Sequence, residues 1–307
     1  MQKYNNAEYH DLMRIIINDA FYVKGSSFDS RIFQIRKLTE IIVRRLLNYR
    51  CDYKLTLGNL KIADMLRERG FTEPLFVDSL DYICNGGNDR GHTQVTTVAN
   101  EEEFHATVES LLNLFGYIFY KYFKTNKFGS NPHILTAFSI LPPIIRHIAL
   151  NELFNDDPTN TMVIDKLVLA KIKAFNQQEG VNWIENNKEM LQKLIVAPSD
   201  NDREQLISKY GKNFAETVMA QIPKSDMYEL CRKKAETIGK VIERQGPLYT
   251  DFETALSYYN EHGKVEGSTK EIVEFNSLME FVYSGRKARE MEVSRLDEKD
   301  YIISQMI

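Results

Sequence analysis

The chain has 307 residues, of which 43% are hydrophobic, with 15 Gly and 8 Pro. These numbers allow two domains with separate apolar cores, and they exclude a collagen-like or extensively disordered protein. The formal net charge of -4 excludes a protein coated throughout with basic residues for indiscriminate nucleic-acid binding, although a local basic face is compatible with it.

The cysteine and histidine positions argue against a bound metal or a disulfide framework. The 3 cysteines are far apart in the sequence, and none of the 6 histidines occurs in the paired spacing that zinc sites use. The N-terminal residues lack an apolar signal segment, and no stretch reaches the roughly 18 apolar residues that a transmembrane helix needs. We therefore expect a cytoplasmic protein with no cofactor, no metal and no membrane contact.

Apolar residues at helical spacing predict five helices in the first part of the chain. They cover approximately residues 8–21, 29–49, 57–70, 72–84 and 100–122. The second helix is expected to begin at Asp29 or Ser30. The fifth is expected to begin with a capping box, in which Asn100 is the N-cap and Glu103 lies three residues later.

The composition shifts at residues 124–132, which predicts a domain boundary there. We therefore expect an N-terminal helical bundle over 1–127 and a second helical domain over 128–307. In the second domain, helices are predicted at about 144–154, 163–175, 181–194, 203–208, 213–221, 226–244, 251–260, 269–283 and 286–294. Strand patterns are weak throughout, so the sequence predicts an all-α fold.

The second predicted helix is strongly basic outside its apolar stripe. Its polar faces carry Arg36, Lys37, Arg44 and Arg45, and Lys37 and Arg44 are seven residues apart and therefore nearly in line. Two interpretations are open. The face is either solvated or contacts the phosphate groups of a nucleic acid.

A polar, glycine-rich segment, Asn-Gly-Gly-Asn-Asp-Arg-Gly-His over residues 85–92, separates the fourth and fifth helices. We predict a turn in which Asn88 bonds to the local backbone, while Gly87 and Gly91 either take unusual dihedral angles or allow close helix approach. His92 is of a residue type that titrates near neutral pH, and Arg90 carries a positive charge. These two residues are therefore the candidates for acid–base chemistry on a phosphate. Two alternatives for His92 are a structural role, in which it ties the turn to a neighbouring helix by hydrogen bonds, and a ligand contact without catalysis.

The order of the predicted helices, the Thr72-Glu73-Pro74 start signal and the run from Gly87 to His92 resemble the HEPN superfamily over about residues 5–125. The closest resemblance is to HEPN-like domains of unknown function in restriction and abortive-infection proteins. It implies a helical bundle of a prokaryotic defence or stress-response system and a homodimer. Nucleolytic members resemble one another in an arginine that is separated from a following histidine by four to six residues, a pair that cleaves RNA without a metal.

In this chain the positions for that arginine hold Asn85, Gly86 and Gly87, and Arg90 lies only two residues before His92. Three hypotheses follow. The first is a nucleic-acid-associated or protein-binding module in which the missing arginine argues against cleavage. The second is a metal-independent endoribonuclease that uses His92 with Arg90, or with an arginine of the second helix such as Arg44. The third is a structural homodimer, so RNA, a protein partner and a second copy are the expected partners.

Overall fold

The computed structural model describes residues 4–91, 96–196, 200–221, 225–246 and 251–288, and side chains are described for these except 88–91, 200–202, 205, 220–221 and 245. Within these ranges the backbone forms fifteen α-helices and one pair of two-residue strands. The predicted all-α fold is therefore confirmed. None of the described helices is long and apolar enough to cross a membrane.

Most predicted helices are present within a few residues of their expected bounds. In chain order the helices are α1 (Asn6–Ile17), α2 (Phe28–Leu46), α3 (Leu60–Glu68), α4 (Pro74–Gly91), α5 (Glu101–Thr125), α6 (Pro132–Phe138), α7 (Pro143–Asp156), α8 (Thr161–Ala174), α9 (Gln177–Asn186), α10 (Lys188–Lys193), α11 (Asp200–Tyr210), α12 (Lys212–Gln221), α13 (Met227–Gln245), α14 (Phe252–His262) and α15 (Lys270–Tyr283). A π-helical turn, Asn18–Tyr22, follows α1, and the strands are β1 (Ile195–Val196) and β2 (Ser225–Asp226). The helix predicted over 286–294 is not helical at 286–288, and its other residues lie outside the described ranges.

Side-chain caps explain where several helices begin. The predicted capping box is present, because Asn100 Oδ1 accepts a bond from the Glu103 N–H at 2.9 Å and Glu103 Oε2 accepts one from the Asn100 N–H at 2.9 Å. Helix α2 begins after Ser27, whose Oγ accepts a bond from the Ser30 N–H at 3.2 Å. Asp29 was expected as a cap, but its carboxylate instead accepts a bond from the Ala99 N–H at 3.1 Å.

The described residues divide into two units by their packing. Unit 1 contains residues 4–153 and 251–288, and unit 2 contains residues 154–246. This division differs from the predicted boundary at 127/128, because the chain after that point continues to pack on the first five helices. For example, the ring of Phe123 lies 4.8 Å from that of Phe128 and 4.9 Å from that of Phe138.

Helix α5 is the centre of unit 1. Its residues Tyr117 and Phe119 are fully buried, and the ring of Phe275 on α15 lies 6.2 Å from Phe119 and 5.5 Å from Tyr122. Helices α2 and α4 pack on α5 and on each other. This packing places Arg36 of α2 against Gly87, near the end of α4.

Unit 2 has its own apolar core, formed by buried side chains of α8, α9, α10 and α13. The single tryptophan, Trp183, packs edge-on against Phe154 with ring centroids 5.2 Å apart. Strand β1 pairs antiparallel with β2, with Val196 opposite Ser225. Helices α11 and α12, which are joined at Gly211, lie between these two strands in the sequence.

Candidate functional site

Residues 85–91, predicted as a glycine-rich turn, form the last two turns of α4. The prediction of a turn is therefore wrong for these residues, including Gly87, Asn88 and Gly91. A glycine inside a helix costs about 1 kcal/mol relative to alanine, so local propensity favoured the turn. The packing of α4 against α2 outweighs that preference.

The contact between α2 and α4 depends on a glycine at position 87. A Cβ atom at Gly87 would lie 2.0 Å from Cδ of Arg36 and 2.8 Å from its Cβ and Cγ, so no larger residue fits without displacing the arginine. Arg36 Nη2 donates a hydrogen bond to the carbonyl oxygen of Leu57 at 3.4 Å. Of the two roles predicted for Gly87, close helix approach is therefore the one present.

Arg44, a predicted nucleic-acid contact, is only 7% exposed. Its Nη1 donates hydrogen bonds to the carbonyl oxygens of Arg50 at 2.7 Å and Tyr53 at 2.6 Å, and its Nη2 lies 3.6 Å from Glu40 Oε1. The guanidinium holds the loop after α2 against the helix. Its burial and these contacts of Nη1 and Nη2 argue against the predicted contact of Arg44 with nucleic acid.

Arg45 is the second predicted contact that the fold covers. Its Nη1 donates to Asn6 Oδ1 at 2.6 Å and its Nη2 donates to Ser277 Oγ at 3.1 Å, while the guanidinium lies 4.9 Å from the centre of the Phe281 ring. Burial lowers the pKa of Arg45. Arg45 therefore connects α2 to α1 and α15, and these contacts argue against the predicted contact of Arg45 with nucleic acid.

Lys37 and Arg36 complete the predicted basic face. Lys37 is exposed, and its Nζ lies 5.1 Å from the centre of the Phe33 ring. Arg36 is half-buried on Gly87. The predicted face of four basic residues is thus reduced to one ammonium group in solvent and one partly covered guanidinium.

The two predicted catalytic residues lie at and beyond the end of α4. Arg90 is in its last turn, but the Arg90 side chain and all of His92 are outside the described part of the chain. Gly91 is one helical turn after Gly87 and therefore shares the face of α4 that meets α2.

A charged cluster that the sequence did not predict joins the start of α4 to α5. Glu73 accepts a hydrogen bond from the Tyr117 hydroxyl, and Lys121 Nζ and Lys124 Nζ lie 3.2 Å and 3.7 Å from Glu73 Oε1. Burial alone would raise the pKa of Glu73, but the hydrogen bonds from Tyr117, the local backbone and Lys121 outweigh it and lower the pKa to about 2.

A carboxylate with such a low pKa is a weak base, so we assign Glu73 an anchoring role and not a proton-transfer role. The available sequence signal was the spacing of Tyr117, Lys121 and Lys124. These residues lie four and three positions apart, and so occupy one face of the mostly apolar C-terminal half of α5.

No group of three or more His, Cys, Asp or Glu side chains in the described ranges is placed to hold a metal ion. Cys51 is exposed, whereas Cys84 and Cys231 are buried. Burial raises the pKa of the Cys84 thiol to about 11 and that of Cys231 to about 12. The two buried thiols therefore stay protonated near neutral pH and are poor nucleophiles.

The candidate site is thus the contact between α2 and α4, where Arg36 lies against Gly87, together with the exposed Lys37 that follows Arg36 on α2. Comparisons with protein-family models, with curated proteins and with solved structures found no match to the chain. The function of the site is therefore inferred from the residues of the chain itself.

Proposed function

We propose that this chain is a HEPN-like module of a prokaryotic defence or stress-response system that binds RNA without cleaving it. The module corresponds to the first five helices, and its RNA contact is the α2–α4 meeting point. Lys37 supplies an exposed positive charge there, and the half-buried Arg36 lies beside it. Both side chains suit the phosphate groups of a polynucleotide.

The arrangement of the first five helices supports this proposal. Helices α2, α3, α4 and α5 follow one another at the positions that carry the resemblance, and α5 begins with the capping box of Asn100 and Glu103. The order and spacing of these helices are the basis of the HEPN-like assignment within the proposal.

The burial of Arg44, together with the position of Arg90 only two residues before His92, carries the choice of binding over cleavage. An endoribonuclease at this site needs a cation to neutralise the charge that develops on the attacked phosphate. Arg44 was the candidate on α2 for that task, but its guanidinium is engaged with the carbonyl oxygens of Arg50 and Tyr53. If Arg44 were to take the place of the missing arginine, its hydrogen bonds to the loop after α2 would have to break.

The experiment that tests this function uses the full chain with labelled RNA in the presence of EDTA, with His92→Ala as the variant. We expect RNA binding that weakens steeply with salt, and intact RNA in both samples. If the wild type cleaves RNA and His92→Ala does not, the proposal is contradicted and the endoribonuclease hypothesis is established. Absence of binding at low salt, together with a dimeric mass by light scattering, would instead favour the structural homodimer.

Reversing the charge of Lys37 tests whether the RNA contact lies on α2. Lys37→Glu is expected to weaken RNA binding and to reduce the slope of log Kd against log salt concentration by about 0.7–1, the value for one phosphate contact. The matched control is Lys24→Glu, which reverses another exposed lysine of unit 1. Equal losses for the two variants would mean that RNA responds only to net charge and would argue against a contact at α2.

A further inference from the structure

The helical hairpin formed by α11 and α12 stands apart from the packing of unit 2. The core side chains of that unit come from α8, α9, α10 and α13, and the described members of the core include none from the hairpin. The two helices pack on each other, with Ala215 buried and Arg203 Nη2 3.2 Å from Glu216 Oε1. The hairpin is therefore an appendage that is not required to fill the core.

The two strands hold the ends of this appendage together. Ile195 pairs with Asp226 and Val196 with Ser225, and the Met227 N–H donates to the carbonyl oxygen of Leu194 at 2.9 Å. The link between the helices is Gly211, whose φ of +85° favours glycine. Each helix has about ten residues, so this link lies roughly 15 Å along either helix from its other end.

All seven residues of the link region, Ser208 to Phe214, are exposed. Tyr210 and Phe214 have exposed fractions of 53% and 51%, and their ring centroids are 5.1 Å apart. We call residues 208–214 the hairpin tip. Two large rings left half in water at the same place are not explained by the packing of the hairpin, because the rings contribute little to its interior.

The hairpin tip is also positively charged. It contains Lys209 and Lys212, and the acidic residues nearest to it in the sequence are Glu204 and Glu216. Lys209 Nζ lies 5.2 Å from the centre of the Tyr210 ring. The Lys212 side chain is 70% exposed, with its Nζ 4.0 Å from Glu216 Oε1. The tip therefore presents two ammonium groups beside two aromatic rings, in a chain whose net charge is -4.

We propose that the hairpin tip binds single-stranded nucleic acid. Tyr210 and Phe214 stack on unpaired bases, and Lys209 and Lys212 contact the adjacent phosphates. Aromatic rings stack on any base whose face is free, and flanking lysines neutralise the backbone, so the recognition depends on single-strandedness and not on sequence. A duplex hides its base faces and would engage only the lysines.

A lipid surface is the other polyanionic partner with which such a tip is compatible. Helices that bury themselves in a membrane interface carry a wide apolar face. The exposed side chains of the hairpin tip are two rings, two lysines, a serine and an asparagine, with no aliphatic residue among them. This composition favours stacking over insertion. The tip belongs to unit 2, so the inference goes beyond the function proposed for the α2–α4 site.

The test measures fluorescence anisotropy of the full chain with a labelled 12-nucleotide oligouridylate, the corresponding oligothymidylate and a duplex of equal length. The variant Tyr210→Ala/Phe214→Ala is expected to weaken single-strand binding roughly tenfold to a hundredfold, as loss of aromatic stacking does elsewhere. Tyr210→Phe keeps the ring and should bind as the wild type. Lys209→Gln/Lys212→Gln should reduce the salt slope by up to about 1.4, since each single-strand phosphate contact contributes about 0.7.

The control is Phe175→Ala in the same unit. Phe175 is 49% exposed and has Lys171 Nζ 5.4 Å from its ring centre, so it matches Tyr210 in exposure and in its neighbouring cation. The variant Phe175→Ala should leave single-strand binding unchanged. Wild-type affinity in Tyr210→Ala/Phe214→Ala, or equal affinity of the wild type for duplex and single strand, would overturn the proposal.

Two further outcomes separate the hairpin tip from the alternatives. Loss of binding in Lys37→Glu with none in Tyr210→Ala/Phe214→Ala would overturn the tip proposal and leave the α2–α4 proposal standing. Vesicles of phosphatidylglycerol and phosphatidylcholine supply the lipid arm. If Tyr210→Ala/Phe214→Ala abolishes vesicle binding and leaves oligonucleotide binding intact, the tip is a membrane contact and the proposal is wrong.

Discussion

The aliphatic stem of Arg36 lies across the backbone of Gly87, in space that any side chain at position 87 would occupy. This contact explains how a segment containing Gly86, Gly87 and Gly91 remains helical. A glycine at position 87 has a lower helix propensity than an alanine would have, but it allows α4 to approach α2 closely. Gly86 and Gly87 therefore differ in their packing, since only Gly87 contacts Arg36.

Gly87→Ala is expected to destabilise the protein by about 1–3 kcal/mol, the usual cost of inserting a methyl group into a packed contact. The clash involves Cβ and Cγ of Arg36 as well as its Cδ, so rotation of the outer side chain does not relieve it. Urea denaturation followed by circular dichroism measures the change in the free energy of unfolding.

Gly86→Ala is the matched control. A Cβ atom there would lie 3.9 Å from Cγ2 of Ile32, an ordinary van der Waals distance. Since alanine favours a helix by about 1 kcal/mol over glycine, this variant should be neutral or slightly stabilising. A destabilisation equal to that of Gly87→Ala would show that the segment does not need helix–helix contact at Gly87.

Arg44→Met is expected to destabilise the protein by about 2–4 kcal/mol. The substitution keeps an apolar stem but leaves the carbonyl oxygens of Arg50 and Tyr53 without the donors they now have. Lys37→Met, an exposed position on the same helix, should change stability by less than about 0.5 kcal/mol. Similar unfolding midpoints for the two variants would refute the structural role of Arg44.

Glu73 should make the stability of the protein depend on pH in the acidic range. Its pKa in the folded chain is about 2, against an ordinary value of 4.5. Because the folded-state pKa is depressed, the stabilisation is fully present above about pH 4.5 and is lost as the pH falls toward 2. After allowance for partial solvent screening, the effect is on the order of 1–2 kcal/mol.

Glu73→Gln removes this carboxylate and is expected to lower stability at pH 7 by that amount. The difference from the wild type should shrink as the pH is lowered from 4.5 to 2. Glu68→Gln, which removes an exposed carboxyl group nearby, should have little effect at pH 7. A difference between Glu73→Gln and the wild type that stays constant down to pH 2 would contradict the role of Glu73 as an ionised anchor.

The three cysteines are expected to react with a thiol reagent in two classes. Cys51 is exposed, whereas Cys84 and Cys231 are buried with pKa values raised to about 11 and about 12. Titration with a chromogenic disulfide at pH 8 should modify one thiol rapidly in the folded chain and three in denaturant. A Cys51→Ser variant that still reacts rapidly would show that a buried thiol is accessible.

Local patterns predicted the helices well, because helix periodicity and capping depend on residues a few positions apart. The capping box of Asn100 and Glu103 is an example. Which basic side chains of α2 are covered by the fold and which stay exposed was not predictable in this way. Arg45 is covered by Ser277, 232 positions away, so counting charges along α2 could not separate it from Lys37, which stays in solvent.

Residues 85–91 show that local patterns can also predict the wrong secondary structure. Asparagine and glycine favour turns when their neighbours are considered alone, and the α2 contact that keeps them helical comes from Arg36, about fifty residues earlier in the chain. The hairpin tip was missed for a related reason. Tyr210 and Phe214 have the spacing of core residues on a helix, and only the arrangement of the other helices shows that they remain outside the core.

Unit 1 is completed by a helix that the ribosome produces late. The Tyr122 hydroxyl bonds to the carbonyl oxygen of Glu271, 149 positions further along, and all of the described unit 2 is translated in between. At about 5–20 residues per second this interval lasts roughly 7 to 30 seconds. During that time α15 is not yet available to cover the aromatic side chains of α5 that it contacts in the folded chain, so we expect chaperones to engage unit 1 in this interval.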